Sequence, residues 1–363
     1  MKITIVAGAR PNFIKIAPII KAIQKQQQCN ENIHYRLIHT GQHYDKNLSD
    51  TFFEELNIPK PDANLEVKSG SQAVQTAAIM VAFEKELQEN PTDLVLVVGD
   101  VNSTMACAIT AKKAHIKVAH VEAGIRSGDI TMPEEINRIV TDSISDYYFT
   151  TSLWAGENLL KQGALPSQIH FVGNVMIDTL YQNQNKFSKP TFWDTLALQP
   201  QNYVILTLHR PSNVDEENGL ISLLQGIENM ISDKKIIFPV HPRTKAILGE
   251  KTGGLKNIIF VEPQSYLNFM FLIQHSFAVI TDSGGITEET TVLGIPCFTM
   301  RTSTERPETV SIGTNYLVGT TIHELQKTYS NFITNGLKTH SIPELWDGKT
   351  SERIINILMK MPI

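Results

Sequence analysis

The chain has 363 residues, a length that suits two domains of ordinary size better than one hydrophobic core. Its 32 Lys and Arg against 37 Asp and Glu give a net charge of −5, which argues against binding along a nucleic-acid backbone. No apolar run approaches the ~20 residues of a membrane helix, and the opening MKITIVAGAR breaks before a signal-peptide apolar region forms. These features predict a cytoplasmic protein without membrane insertion.

Short apolar runs alternate with longer amphipathic segments through the first half of the chain. In chain order the runs are ITIVAG, YRLIHTG, LVLVVGD, VAHVEAG, YYFTT and IHFVGN, which are typical of buried parallel strands. Between them the periodicity predicts helices over Phe13–Gln27, Gln72–Glu89, Ser103–Ala114 and Glu134–Ser145. This alternation predicts an N-terminal doubly wound α/β domain over residues 1–181.

A polar segment with few aliphatic residues, 182–201, interrupts the alternation and is predicted to be a linker. The pattern restarts with YVILTLHR, IIFPVHP, IIFVEP, FAVITDSGG and PCFTM, and a helix is predicted over Gly219–Ile231. We therefore expect a second α/β domain over residues 202–350 and a closing helix over residues 351–363. Two doubly wound parallel-sheet domains that face each other across a cleft are the predicted architecture.

Polar residues follow nearly every predicted strand. Ligands of open α/β sheets bind beyond the carboxyl ends of the strands, so this shared position predicts one site. The clusters are Gly8-Ala9-Arg10, Gly99-Asp100, Glu122-Ala123-Gly124, His209-Arg210, His241-Pro242-Arg243 and Asp282-Ser283-Gly284-Gly285.

The first cluster opens the stretch GARPNFIK. Gly8 ends a strand and Pro11 suits the first turn of a helix, so a tight strand-to-helix turn is predicted. Arg10 on this turn and Lys15 in the second helical turn are placed to bind an anion. The alternative is a solvated pair of cations at a helix start.

Carboxylates follow three strands or begin a helix within a short span. Asp100, Glu122 and Glu134 or Glu135 suit general acid and base work. Each also has a structural explanation, since Asp100 can cap a helix and Glu134 can pair with Arg138 at i, i+4. Their common location favours the functional interpretation. His209, at the end of the first strand of the second domain, is a further candidate because histidine titrates near neutral pH.

The stretch TDSGGITEET predicts a nucleoside diphosphate site. The backbone amides of Ser283, Gly284 and Gly285, at a helix N-terminus, suit a diphosphate. Glu289, one turn into the helix, suits the hydroxyls of a ribose. Arg306 follows the next strand and suits the same phosphates, with an internal pair to Glu305 or Glu308 as the alternative.

Nearly the whole chain resembles the non-hydrolysing UDP-N-acetylglucosamine 2-epimerases, through GARPNFIKIAP, VVGDVNST, HVEAGIRSGD, MPEEINR, TLHRPSN, TDSGGITEE and TERPE. The resemblance implies a GT-B architecture of two Rossmann-like domains around a cleft, and a homodimer. It also implies interconversion of UDP-N-acetylglucosamine and UDP-N-acetylmannosamine without NAD and without an essential metal. The reaction implied is anti elimination of UDP, giving 2-acetamidoglucal, followed by re-addition of UDP.

The resemblance also assigns roles to residues at matching positions. Acid, base and oxyanion-handling groups match Asp100, Glu122, Glu134, Arg138 and His209, and which of them takes the carbon 2 proton stays open. Four residues match part of an allosteric site of some bacterial members: Gln42, His43, Arg210 and His241. The matches to UDP contacts are Arg10, Lys15, Gln264, Phe269, Ser283, Gly284, Gly285, Glu289 and Arg306.

Two departures from the family pattern concern the sugar. The common opening GTRPE reads GARPN in this chain, and the loop SGDITMPEE is short. Three alternatives therefore remain: a GT-B glycosyltransferase, an epimerase of UDP-2,3-diacetamido-glucuronate, and a hydrolysing epimerase. The acids of the first domain argue against the transferase, and a uronate substrate should require an extra basic group.

Overall fold

The computed structural model describes residues 1–29, 32–41, 53–208, 217–240, 248 and 254–361. Contacts within the chain divide it into two compact units. Unit 1 contains Met1–Gln182 and Glu344–Ile363, and unit 2 contains Asn183–Pro343. No helix in the described part of the chain is long and apolar enough to cross a membrane.

Unit 1 is built on a parallel sheet of seven strands. These are β1 (Lys2–Ala7), β2 (His34–His39), β3 (Ala63–Asn64), β4 (Leu94–Val98), β5 (Lys117–Val121), β6 (Tyr147–Thr150) and β7 (Ile169–Phe171). Their order across the sheet is β3-β2-β1-β4-β5-β6-β7, and all neighbours run parallel. Every residue of β4 is buried, as expected for a central strand with helices on both faces.

The helices of unit 1 begin at residues that suit helix starts. Ser71 and Ser152 each accept a backbone N–H of the following turn through the hydroxyl oxygen. Pro11 and Pro133 occupy first turns, where a missing N–H leaves no hydrogen bond unmade. These helices are α1 (Arg10–Gln28), α2 (Gln72–Glu89), α3 (Asn102–Lys113), α4 (Pro133–Ile144), α5 (Leu153–Lys161) and α6 (Val175–Asn183).

Unit 2 repeats the arrangement with six parallel strands. They are β8 (Tyr203–Thr207), β9 (Lys235–Pro239), β10 (Ile258–Val261), β11 (Ala278–Thr281), β12 (Cys297–Thr299) and β13 (Asn315–Leu317). Their order is β10-β9-β8-β11-β12-β13. The helices are α7 (Glu217–Met230), α8 (Tyr266–His275), α9 (Ile286–Leu293), α10 (Pro307–Ser311) and α11 (Ile322–Asn335).

Both sheets reverse their strand order at one point. The reversal falls between β1 and β4 in unit 1, and between β8 and β11 in unit 2. Ligands of Rossmann-like sheets bind beyond the carboxyl ends of the strands at this reversal. The predicted fold class is confirmed: each unit is a Rossmann-like parallel α/β sheet, and two such units make up the GT-B fold.

The segments at the unit boundaries are packed. Most of the predicted linker, residues 183–201, counts with unit 2, where the buried Trp193 meets Tyr203 and Phe271 edge-on. Unit 2 ends at Pro343, short of the predicted limit of residue 350, because the chain after it packs on unit 1.

The end of the chain is held on unit 1 by one buried acid. The helix α12 spans Thr350–Leu358, and its first turn contacts Asp178 of α6. The Asp178 carboxylate accepts the backbone N–H groups of Thr350 at 3.0 Å and Ser351 at 2.6 Å. Because these are first-turn N–H groups without helical acceptors, Asp178 satisfies them as a cap would.

Candidate active site

The strand reversal of unit 1 is held together by Asn12. Its Oδ1 accepts the backbone N–H groups of Gly8 at 3.2 Å and Ala9 at 3.0 Å, just after β1. Its Nδ2 donates to the carbonyl of Val98, the last residue of β4, at 2.9 Å. Asn12 therefore joins the carboxyl ends of the two strands between which ligands of this fold bind. A glutamate at this position could not donate to Val98, so this hydrogen bond depends on the amide of Asn12.

Lys15 and Glu122 form a buried ion pair beside this reversal. Lys15 Nζ lies 2.5 Å from Glu122 Oε2. A Cβ added to Gly99 would come within 3.2 Å of Lys15 Nζ and 3.8 Å of Glu122 Oε2, so the turn before Asp100 borders this pair. Lys15, a candidate for UDP, and Glu122, a candidate acid or base, thus belong to one cluster.

Asp100 is held by Arg138. Its Oδ2 accepts from Arg138 Nε at 3.0 Å and from Nη2 at 2.6 Å, while its side chain stays 30% exposed. The guanidinium uses its remaining nitrogen, Nη1, for Glu135 Oε2 at 2.7 Å. Because Arg138 is always charged, its two hydrogen bonds to Asp100 are charge-assisted. A carboxylate next to a cation, partly open to solvent, is suited to accept a proton from a bound molecule.

The two adjacent glutamates of MPEEINR have different surroundings. Glu135 is buried and accepts backbone N–H groups of Ser127 at 2.9 Å and Gly128 at 3.0 Å, as well as Arg138. Burial raises the pKa of Glu135, but these N–H groups and Arg138 outweigh it, so the pKa lies below its ordinary value. Glu134 is exposed in the first turn of α4. The ion pair of Arg138 on α4 is therefore with Glu135 at i, i+3, not the alternative predicted with Glu134.

In unit 2 the turn after β11 has the geometry of an ordinary helix start. Gly285 has φ −68° and ψ −40°, so its backbone does not require glycine. Among the described residues, no heavy atom lies within 4 Å of a Cβ built there. The N–H of Ser283, one of the three predicted anion donors, donates to Thr281 Oγ1 at 2.9 Å in the ligand-free protein. Of the two glycines, Gly285 has open space around it, whereas the side chains of Arg301 and Glu305 border Gly284.

Glu289 is a buried carboxyl at the end of the first turn of α9. Its side chain lies beside the hydroxyl of Tyr266, and in the described chain neither Glu289 Oε1 nor that hydroxyl has a partner with good hydrogen-bond geometry. Burial raises the pKa of Glu289 to about 8, and the neighbouring charge of Glu288 acts in the same direction, while Tyr266 opposes it. A buried polar oxygen without a partner is costly, so Glu289 Oε1 is suited to accept a hydrogen bond from a ligand hydroxyl.

The cations near α9 are paired internally. Arg306 Nε donates to Glu288 Oε1, a partner that was not predicted. Its charge also acts on Glu308, one of the two predicted partners, where it opposes the rise in pKa that burial causes. Glu305 instead binds Arg301 through two hydrogen bonds of 2.7 Å. The pair of Arg301 and Glu305 borders Gly284, with Arg301 Nη1 3.4 Å from the position of an added Cβ.

The remaining candidates have less structural definition. Gln264 and Phe269 are partly buried at the start of α8, and Gln264 Nε2 donates to the carbonyl of Glu262 at 2.6 Å. The side chain of Arg10 is not among those described. Five candidates lie outside the described residues: Gln42, His43, His209, Arg210 and His241.

Several contacting residues could not be named from the sequence. Nothing in the sequence indicates that Asn12 connects β1 and β4. Tyr266 has the position of an apolar core residue of α8, so its contact with Glu289 was not predicted. Arg301, Glu305 and Glu288 stand close to the recognised motifs, but their pairing depends on how the turns fold.

The fold and these clusters define a GT-B-type α/β protein with separate polar clusters at the strand reversals of its two units. The chain belongs to the UDP-N-acetylglucosamine 2-epimerase family, whose model matches residues 25–359. The UDP-N-acetylglucosamine 2-epimerase of Methanocaldococcus jannaschii is 42% identical over 99% of both chains. The UDP-2,3-diacetamido-2,3-dideoxy-D-glucuronate 2-epimerase of Pseudomonas aeruginosa is 40% identical over 88% of both.

Solved structures agree with this membership. The crystal structure of the M. jannaschii enzyme in complex with UDP-GlcNAc and UDP has a TM-score of 0.90, covering 99% of this chain and 100% of that one at 42% identity. The enzyme of Neisseria meningitidis bound to UDP-GlcNAc has a TM-score of 0.89 at 27% identity, with 99% and 100% covered.

Proposed function

We propose that the protein interconverts UDP-N-acetylglucosamine and UDP-N-acetylmannosamine, without NAD and without an essential metal, and so supplies cell-surface polysaccharide synthesis. The observation that carries the proposal is the pairing of two acids with two cations at the strand reversal of unit 1, Asp100 with Arg138 and Glu122 with Lys15. It is supported by full-length similarity to epimerases of this substrate.

The cluster suits an elimination. A base removes the proton from sugar carbon 2, the bond from carbon 1 to the UDP oxygen breaks, its electron pair leaves with UDP, and a double bond forms between the two carbons. In the return step the UDP oxygen attacks carbon 1 and a proton reaches the opposite face of carbon 2. Asp100 and Glu122 are suited to proton transfer, and each is held by a cation, Arg138 and Lys15 respectively. Glu134 and His209 remain candidates for the other face.

UDP itself is proposed to bind unit 2. Gly284 and Gly285 would meet the diphosphate, Glu289 the ribose, and Gln264 with Phe269 the uracil. In the ligand-free protein Arg306 donates to Glu288, so Arg306 would have to break this hydrogen bond to contact a phosphate directly through Nε. Lys15 and Arg10 complete the set of proposed contacts from unit 1.

Proton NMR in deuterium oxide tests the reaction. UDP-N-acetylglucosamine incubated with the pure protein should give UDP-N-acetylmannosamine with deuterium at carbon 2, because the removed proton exchanges with solvent. Prolonged incubation should release UDP and 2-acetamidoglucal. Retention of the original hydrogen at carbon 2 in the product would contradict elimination, and free N-acetylmannosamine would indicate a hydrolysing enzyme.

A second substrate deserves a direct comparison, because a relative named for UDP-2,3-diacetamido-glucuronate is 40% identical. A uronate carboxylate needs a cation. In the described part of unit 1, the two cations of the cluster, Lys15 and Arg138, already have acid partners, so a uronate would compete with Glu122 and Asp100. We therefore expect a higher kcat/KM for UDP-N-acetylglucosamine when both sugars are assayed side by side.

Gly285→Val tests the diphosphate contact without disturbing the turn. The backbone of Gly285 suits any residue, and a Cβ meets no described atom, so the variant should fold like the native protein. Its side chain would fill the approach to the helix N-terminus, and UDP affinity measured by calorimetry should fall about 10-fold or more. The control is Gly254→Val, at another open glycine of unit 2. Unchanged affinity of a folded Gly285→Val protein would remove this turn from the UDP site.

We also propose a homodimer that forms through α2. Along this helix Ala73, Val74, Ala77, Ala78 and Val81 are exposed, with Val74 at 64% and Val81 at 71%. An apolar groove runs beside them, lined in part by Met80, Met105 and Ile136. The exposed residues of α2 form a ridge beside this groove. In a dimer with a two-fold axis, the ridge of each copy would pack into the groove of the other. A second copy of the chain is therefore the proposed occupant.

Light scattering during size-exclusion chromatography measures the expected dimer. Val81→Glu places a charge on the ridge and should give monomers, because burying an unpaired carboxylate is unfavourable. Leu165→Glu is the control, since Leu165 is 61% exposed elsewhere in unit 1. A native monomer, or a Val81→Glu protein with the native mass, would contradict the dimer or its location.

A further inference from the structure

His120 lies in the middle of the cluster, on β5, without contact to solvent. Its Nδ1 is 2.7 Å from Asp142 Oδ1, and its Nε2 is 2.9 Å from the carbonyl oxygen of Gly99. Gly99 is the residue before Asp100. The ring therefore reaches from the buried carboxylate of α4 to the turn that carries a candidate acid.

Both neighbours of the ring are acceptors. A backbone carbonyl has no proton to donate. Burial raises the pKa of Asp142, but the attraction and hydrogen bonds of His120 and Arg126 outweigh it and hold that pKa below its ordinary value. Because Asp142 is thus ionised, both hydrogen bonds form only when both ring nitrogens carry a proton.

The network continues to the turn after β5. Asp142 Oδ2 accepts the backbone N–H of Gly124 at 3.1 Å and pairs with Arg126 at 2.7 Å. Tyr148 donates its hydroxyl hydrogen to the backbone carbonyl of Asp142 at 2.8 Å. One chain of hydrogen bonds therefore runs from Gly99, next to Asp100, to Gly124, two residues after Glu122.

The two turns contain backbone that needs such support. Gly99, Glu122 and Gly124 have φ of +70°, +69° and +78°. This region is unfavourable for Glu122, which carries a Cβ. At Gly124 a Cβ would come within 2.1 Å of the carbonyl oxygen of Ala155. The candidate acids stand on turns whose shape depends on their surroundings.

We propose that His120 is a positioning residue for the reaction, fixing the Gly99–Asp100 turn relative to the Glu122–Gly124 turn through Asp142. This inference rests on the proposed function, because its consequence is the placement of Asp100 and Glu122 against one substrate. A purely stabilising role is a weaker explanation, since buried ion pairs often add no stability over apolar residues of similar size.

Two uncharged variants of His120 test its contacts with Gly99 and with Asp142 separately. His120→Gln keeps an N–H at the reach of Nε2, towards Gly99, whereas His120→Asn keeps one at the reach of Nδ1, towards Asp142, and loses Gly99. We expect kcat to fall about 10- to 100-fold for His120→Asn and less for His120→Gln, because small misplacements of reacting groups have such effects. KM and the Kd for UDP, which unit 2 is proposed to bind, should stay close to native.

The control is His170→Asn, a partly buried histidine of β7 in the same sheet, which should leave kcat unchanged. Native kcat in folded His120 variants would overturn the proposal. The proposal would also be overturned if His120→Asn and His120→Gln lost equal amounts of kcat in proportion to their loss of melting temperature, together with a parallel loss of UDP affinity.

A measurement on the native protein covers the case in which the variants do not fold. In protein labelled with ¹⁵N-histidine, both ring nitrogens of His120 should show a hydrogen bond, one to Asp142 and the other to the Gly99 carbonyl. A ring with one bare nitrogen would overturn the network. Absence of epimerisation by the native protein would instead reject the proposed function, since the NMR result does not depend on it.

Discussion

Asp100→Asn and Glu122→Gln should each lower kcat for epimerisation by about 100-fold or more, with little change in UDP affinity. Each change keeps the size of the side chain and removes its ability to take a proton. The partners Arg138 and Lys15 are not altered by these changes, so attraction of the substrate diphosphate should not decrease. His209→Asn is expected to have a similar effect, although His209 lies outside the described residues.

Two controls break comparable ion pairs away from the strand reversal. Glu86 is buried and pairs with Arg36 at 2.6 Å, as Glu122 does with Lys15. Asp146 is half-buried, pairs with Lys112 at 2.8 Å and binds the N–H of Val118 at the amino end of β5. Glu86→Gln and Asp146→Asn should reduce stability without a comparable loss of turnover.

The measurements are steady-state kinetics by NMR and UDP calorimetry on the native protein and on all five variants, with circular dichroism to verify folding. Near-native turnover of both Asp100→Asn and Glu122→Gln would show that the cluster in unit 1 is not the reaction centre. Glu134→Gln, added to the series, tests the exposed acid separately from Glu135, whose partners indicate a structural role.

The fold was largely predictable because parallel α/β proteins bury long apolar strands. The run LVLVVGD contains β4, and the predicted helix Gln72–Glu89 coincides with α2. The two strands without a prediction are β3 and β13, at opposite edges of their sheets. They have two and three residues, several of them partly exposed, so no apolar run marks them.

The partners within the site were much less predictable. Lys15 and Glu122 are 107 positions apart, and only the parallel order of β1, β4 and β5 brings them together. Glu134 and Glu135 are both spaced to reach Arg138 along α4. Glu135 is the buried partner because its carboxylate also accepts the N–H groups of Ser127 and Gly128. These residues belong to a loop before α4, so spacing along the helix could not predict the choice.

The second large effect is expected in the protonation of Glu289 on UDP binding. With a pKa of about 8, Glu289 is mostly protonated at neutral pH in the ligand-free protein. Ribose hydroxyls that donate to it favour the carboxylate, so its pKa should fall on binding and a proton should be released. UDP affinity should therefore rise as the pH increases from about 6 towards 8, where the unbound protein loses the proton itself.

The nucleotide has its own titrating phosphate, and its negative charge opposes ionisation of Glu289. Comparison with 2′,3′-dideoxy-UDP removes both contributions, because that nucleotide keeps the diphosphate and lacks the hydroxyls. The matched variant is Glu289→Gln, which retains the size of the side chain and cannot titrate. It should lose about 1.5 to 3 kcal/mol of UDP affinity, about 10- to 100-fold in Kd, from the hydrogen bonds of the diol to a charged group.

Calorimetry at neutral pH in buffers of different ionisation enthalpy counts the protons. For the native protein, UDP should release about one proton more than 2′,3′-dideoxy-UDP, and for Glu289→Gln the two nucleotides should not differ. Tyr266→Phe should keep the difference in proton release between the two nucleotides. Burial is what raises the pKa of Glu289, and Tyr266 only lowers it in part, so the variant still has a raised pKa. Equal proton release by both nucleotides on the native protein would mean that the diol is held elsewhere. Glu289 would then be a buried acid whose ionisation disfavours folding, a penalty absent below the unfolded pKa and complete above about pH 8.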